Sequence, residues 1–180
     1  VVETVAGNGE KGTEDGALSA SSFKLPYGIC FDNTLQALIV ADADAHNIRR
    51  IDLRAKTVST VAGTGARGYI DGLCMQAAFN EPTSVACDQR GNIFVADSRN
   101  NRIRCVTVDG RVVTVAGAGP SMFVEGPPHA ACFDRPLGVN LDSKGRLFVA
   151  DARNHCVRCV GDADSLVRHA VENVENVEDV

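Results

Sequence analysis

The apolar positions of this chain fall in short runs bounded by turn-forming residues, the periodicity of strands and not of helices. Ile93-Phe94-Val95-Ala96 and Leu147-Phe148-Val149-Ala150 are apolar at every position, which suits strands covered on both faces. Arg90-Gly91 and Asp109-Gly110 supply tight hairpin turns between neighbouring runs. Strands are therefore expected near 83–88, 92–97, 102–108 and 111–116.

The pattern repeats. Thr4-Val5-Ala6-Gly7 returns as Thr60-Val61-Ala62-Gly63 and as Thr114-Val115-Ala116-Gly117, at steps of 56 and 54 residues. In the same register stand Asp15-Gly16, Asp71-Gly72 and Glu125-Gly126, then Phe23, Phe79 and Phe133, then Pro26, Pro82 and Pro136. Asp42, Asp97 and Asp151 close a Val-Ala-Asp in each unit, and Arg49, Arg104 and Arg158 follow seven residues later. Four antiparallel strands per unit, repeated side by side, predict an all-β chain of three β-propeller blades at about 26–63, 82–117 and 136–171, preceded by a strand at 1–6. The stretch from Gly63 to Pro82 is longer than most connections; Asp71 is expected to cap a helical turn over Leu73 to Phe79, which Pro82 ends.

Val95-Ala96-Asp97-Ser98-Arg99-Asn100-Asn101-Arg102-Ile103-Arg104 and Val149-Ala150-Asp151-Ala152-Arg153-Asn154-His155-Cys156-Val157-Arg158 resemble the NHL repeat. No unit carries the full Asn-His-Leu tripeptide, but the surrounding frame is intact up to about residue 170. The resemblance implies a β-propeller, usually of six blades, and usually a binding platform. Three blades are half of such a ring, so the resemblance implies closure either by a homodimer or by neighbouring blades of a longer chain. In a closed ring the strand at 1–6 would complete the partner's last blade, whose own sequence is degenerate at Arg168-His169-Ala170-Val171. The acidic Val/Glu/Asn tail at 171–180 is open between a solvated terminus and an interface helix or strand.

Composition narrows the function. With 180 residues, 44% hydrophobic and 23% charged, the chain can bury a core. A net charge of −5 opposes a broad nucleic-acid footprint, and no apolar run approaches the roughly 18 residues that span a bilayer. Seven cysteines without a pairing framework point to a reducing compartment, hence a cytoplasmic location.

The tempting motifs have plainer readings. Gly7-x-Gly9-x-x-Gly12 and Gly63-x-Gly65-x-x-Gly68 have dinucleotide-binding spacing but lack the helix that would face a pyrophosphate, so they read as interblade linkers. Cys156 and Cys159, three apart on a strand, point to opposite faces and read as ordinary thiols beside Cys105. His46 and His155 share a blade position that Asn101 breaks, so they read as hydrogen-bonding loop residues. The Asp and Arg series read as buried pairs. No catalytic residue, metal site or cofactor is expected.

Strand parity places the second-to-third loops and the interblade linkers on one face of the disc. That face carries Arg67, Tyr69, Arg99, Asn100, Phe123, Arg153, Asn154 and His155, proposed as partner-binding residues. The expected function is a non-enzymatic protein-binding scaffold. The alternatives are single-stranded RNA binding by the same face and a metal-dependent lyase or hydrolase.

Overall fold

The computed structural model describes residues 1–178, with side chains described through 172. Strands are β1 (Gly16–Ala17), β2 (Pro26–Asp32), β3 (Ala37–Asp42), β4 (Asn47–Asp52), β5 (Thr57–Ala62), β6 (Gly72–Leu73), β7 (Pro82–Cys87), β8 (Ile93–Asp97), β9 (Arg102–Val106), β10 (Arg111–Ala116), β11 (Pro136–Leu141), β12 (Arg146–Asp151) and β13 (Cys156–Asp162), followed by α1 (Ala163–Glu178). They form three antiparallel sheets, ordered β1-β5-β4-β3-β2, β6-β10-β9-β8-β7 and β11-β12-β13. The chain is thus a partial β-propeller. The first strands of the blades, β2, β7 and β11, lie side by side at its inner edge.

Alternation along the strands builds two layers between blades. Ile39, Ala41 and Ile48 of the first blade meet Val85, Ile93, Val95, Val106 and Val112 of the second. On the other side of the second blade, Phe94, Ala96, Ile103, Cys105, Val113 and Val115 meet Val139, Leu147 and Val149. The central blade is covered on both faces, and β8 is buried at every position as its unbroken apolar run requires.

Three expectations need correction. The segment Leu73 to Phe79 is not helical: Leu73 belongs to β6, and a single turn follows in which Gln76 and Ala77 donate to its carbonyl. Asp71 does not cap it. Its carboxylate accepts the Thr114 N–H at 3.1 Å and pairs with Arg104, interactions available only once the linker folds across the outer edge of its blade.

Residues 1–6 form no strand, because the chain places no third-strand edge beside them. Finally, the last blade has three strands, and α1 takes over from residue 163 where the fourth was expected. Asp162 caps that helix, accepting the Ser165 N–H at 3.0 Å. Ala163, Leu166 and Ala170 then follow at helical spacing and cover Val113 and Val115 of β10. Losing the fourth strand has a second effect. β1 and β6 each pair with the fourth strand of their blade, and the equivalent Gly126 segment, lacking that partner, forms no strand.

The linker glycines divide by what surrounds them. A Cβ on Gly63 would lie 2.7 Å from the His46 carbonyl oxygen and 2.9 Å from the Asn47 Cα, with φ at +104°; at Gly65, φ is +80° and the nearest atom is 3.7 Å away. Gly63→Val is expected to lose about 3 kcal/mol through strain and overlap together, and Gly65→Val about 1 kcal/mol through strain alone. Urea unfolding of the two variants checks this, and equal losses would contradict it.

Candidate functional site

Each second-to-third connection is a single 3-10 turn, at Ala43–Ala45, Ser98–Asn100 and Ala152–Asn154. The following residue, His46, Asn101 or His155, adopts left-handed geometry at φ 53°, 52° and 57°. The aspartate before each turn is fully buried and holds three things at once. In the middle blade Asp97 accepts the Asn80 N–H at 2.8 Å, the Asn100 Nδ2 at 2.8 Å and the Arg104 Nη1 at 2.8 Å. Asp151 does the same with the Asp134 N–H, Asn154 and Arg158. Asp42 takes the Lys24 and Leu25 N–H groups and lies 3.6 Å from Arg49.

The Asp–Arg series is therefore a structural hub tying turn, linker and strand together. Burial pushes the Asp97 carboxyl above the ordinary carboxylate value, although Arg104, Asn100 and the Asn80 N–H each pull it down.

The turns and linkers do share one face, as parity requires. Asn100 reaches the Gly68 carbonyl oxygen at 2.8 Å, Asn154 reaches that of Met122 at 3.0 Å, and Lys11 pairs with Asp44 at 3.0 Å. The eight expected binding residues fall into two groups there. Asn100 and Asn154 spend their amides on the hub, and the Tyr69 ring lies under Arg102 (3.8 Å) and over the buried Arg104 (4.9 Å). Phe123 is mostly exposed but leans on Arg158 at 5.2 Å. Arg67, Arg153 and His155 point to solvent, and Arg99 is half-exposed in an ion pair with Glu81 at 2.8 Å. Arg67 and Arg153 have no ion-pair partner among the described residues.

Sequence reasoning missed a contact between blades. His46 Nδ1 accepts the Glu81 N–H at 3.1 Å, and Asn101 Oδ1 accepts the Arg135 N–H at 2.9 Å. The donors precede Pro82 and Pro136 and are themselves left-handed, at φ 51° and 54°. Each turn thus latches the next blade's first strand. A histidine or asparagine in that register was the visible signal; its partner in the following unit was not. His155 is the third such group, on the last blade. Among the described residues no group of three or more His, Cys, Asp or Glu is arranged to hold a metal ion, and no helix is long and apolar enough to cross a membrane.

The chain matches the family model for the NHL repeat at residues 79–106 and 133–160. It is 34% identical over 192 residues to NHL repeat-containing protein 2 of Bos taurus, covering 92% of this chain and 26% of that protein. It is also 31% identical over 170 residues to the chloroplastic protein SUPPRESSOR OF QUENCHING 1 of Arabidopsis thaliana, covering 89% of this chain and 16% of the relative. The chain thus spans about a quarter or less of the length of these relatives. A solved structure from Bacteroides thetaiotaomicron, a protein of unknown function, superposes with a TM-score of 0.69 at 24% identity over 74% of this chain and 34% of its own.

Proposed function

We propose, since the chain belongs to the NHL-repeat family, that it is a protein-binding platform whose turn-and-linker face takes an acidic segment of a partner. The observation that carries this reading is the pair of exposed guanidinium groups on that face, of Arg67 and Arg153. The repeated aspartates are buried and paired with arginine within each blade, while Arg67 and Arg153 stand exposed with no ion-pair partner among the described residues. Guanidinium groups so placed match carboxylates in geometry as well as charge.

A poly-glutamate peptide serves as probe, with a homopolymeric RNA in parallel at low and moderate salt. Arg67→Glu, Arg99→Glu and Arg153→Glu together are expected to weaken poly-glutamate binding at least tenfold. Melting should barely move, because exposed ion pairs such as Arg99 with Glu81 are worth only about 0.2–1 kcal/mol. Equal peptide binding by the triple variant would move the site elsewhere, and tighter binding of RNA than of peptide would favour the nucleic-acid reading.

The platform also needs closing at both ends. Phe148, Ala150, Val157 and Cys159 stand where the second blade has Phe94, Ala96, Ile103 and Cys105, all of them fully buried; on the last blade Val157 is 74% exposed. At the other end Ile29 is 60% exposed where its counterparts Val85 and Val139 are 4% and 7%. Each open face reproduces one half of an internal junction, so its best fit is another blade of the same repeat. Docked there, such a blade would give His155 a backbone N–H to latch, and in the isolated chain a second copy can supply it head to tail.

A further inference from the structure

We propose that Cys30 and Cys87 form a reversible thiol–disulfide pair that staples the first blade to the second when the protein meets a peroxide. Cys30 lies on β2 and Cys87 on β7, the adjacent inner strands of the two blades, 57 positions apart in sequence. Their sulfur atoms are 3.3 Å apart and both side chains are half-buried at the edge of the interblade layer. A disulfide requires about 2.05 Å, so the sulfurs close the remaining gap by small side-chain movements within strands already in contact.

The approach has a visible cause. A Cβ on Gly28 would lie 2.5 Å from the Thr83 carbonyl oxygen and 2.6 Å from the Ser84 Cα, so only glycine lets β2 come this near β7. Two residues on, on the same face, stands Cys30.

The two thiols are shifted in opposite directions. Either sulfur can donate its S–H to the other across the 3.3 Å contact, and the hydrogen bond between them holds Cys30 below the ordinary thiol value and Cys87 above it. Cys30 is then the nucleophile. Its thiolate attacks one oxygen of hydrogen peroxide and the O–O bond breaks; hydroxide leaves and takes a proton to become water, and Cys30 is left as the sulfenic acid. The Cys87 sulfur attacks the Cys30 sulfur, the S–O bond breaks, and the Cys87 proton leaves with the hydroxyl as a second water. Two thiols are oxidised by two electrons and one peroxide is reduced. A dithiol reductant such as dithiothreitol reverses the bond by exchange.

The other cysteines are placed differently. Cys105 is fully buried and, like Cys74, raised by burial, while Cys156 and Cys159 fall on opposite sides of β13.

The test is peroxide treatment of the native 180-residue chain followed by intact mass, fragment mapping and melting. Expected are a loss of about 2 Da, a mapped Cys30–Cys87 bridge, a rise in Tm on the order of 5 °C or more because the unfolded chain is now closed into a long loop, and reversal of all three by dithiothreitol. Cys30→Ser and Cys87→Ala should each abolish the mass loss and the melting shift. Because the bridge is mapped in the unsubstituted chain, a variant that fails to fold leaves the test intact. Free alkylation of both thiols after peroxide, or a bridge mapped to any other pair, would overturn the proposal.

Discussion

Arg104→Met is expected to lower stability by about 3–5 kcal/mol at neutral pH and Tm by about 10 °C, the largest effect of any single substitution considered. The Arg104 side chain is wholly buried and bonds Asp97, Asp71 and the carbonyl oxygens of Ile70 and Ala78. Removing it strands a buried carboxylate, which is worse than removing both partners. Asp97→Asn combined with Arg104→Met should therefore recover part of the loss.

The pH dependence has a definite sign. The folded Asp97 carboxyl titrates above its unfolded value near 3.8, so the native state holds the extra proton, and this group's contribution falls as pH rises through that interval. Arg104 pulls the folded value down. Without Arg104 the value climbs further, and the variant's deficit should be widest at neutral pH and narrow towards pH 4. Urea unfolding of both proteins at pH 4, 5.5 and 7 measures this, and a deficit independent of pH would show that Arg104 acts by packing alone.

Light scattering on the isolated chain is expected to give twice the 19.0 kDa of one copy. The two end faces expose Ile29 and Val157 where the internal junctions bury the corresponding side chains, and head-to-tail pairing covers both at once. Val157→Glu places a charge at the centre of one face without disturbing the isolated blade, since Val157 is already exposed there, and should return the protein to a single copy. Deleting residues 1–6 should weaken the dimer if Thr4-Val5-Ala6 supplies the strand beside β13. A monodisperse single copy at micromolar concentration would refute the pairing, and an unchanged dimer after the deletion would refute that strand's part in it.

The blade count, the order of the first three strands within a blade and the face on which turns and linkers meet are legible in the residue pattern. The reason is that a strand repeat carries its register in local signals: a Gly turn, an apolar run, a Val-Ala-Asp, a proline. The pattern also determined that the Asp42, Asp97 and Asp151 series pairs with arginine, because one buried charge per unit requires one partner per unit.

The remaining features follow from contacts between blades and between each linker and its blade. Whether residues 163–178 become a fourth strand or a helix depends on what covers Val113 and Val115, a demand made by another blade. Asp71 could cap a helix or serve Arg104, and the outer edge of its blade selects the second. Asn100 and Tyr69 carry the chemistry of recognition residues, yet their contacts with Gly68 and Arg104 commit them to the scaffold. Cys30 and Cys87 share no sequence signal, because no local pattern shows that Gly28 lets two inner strands approach until their sulfurs touch. Local preferences select elements, whereas meetings between residues tens of positions apart are selected by which surfaces must be covered.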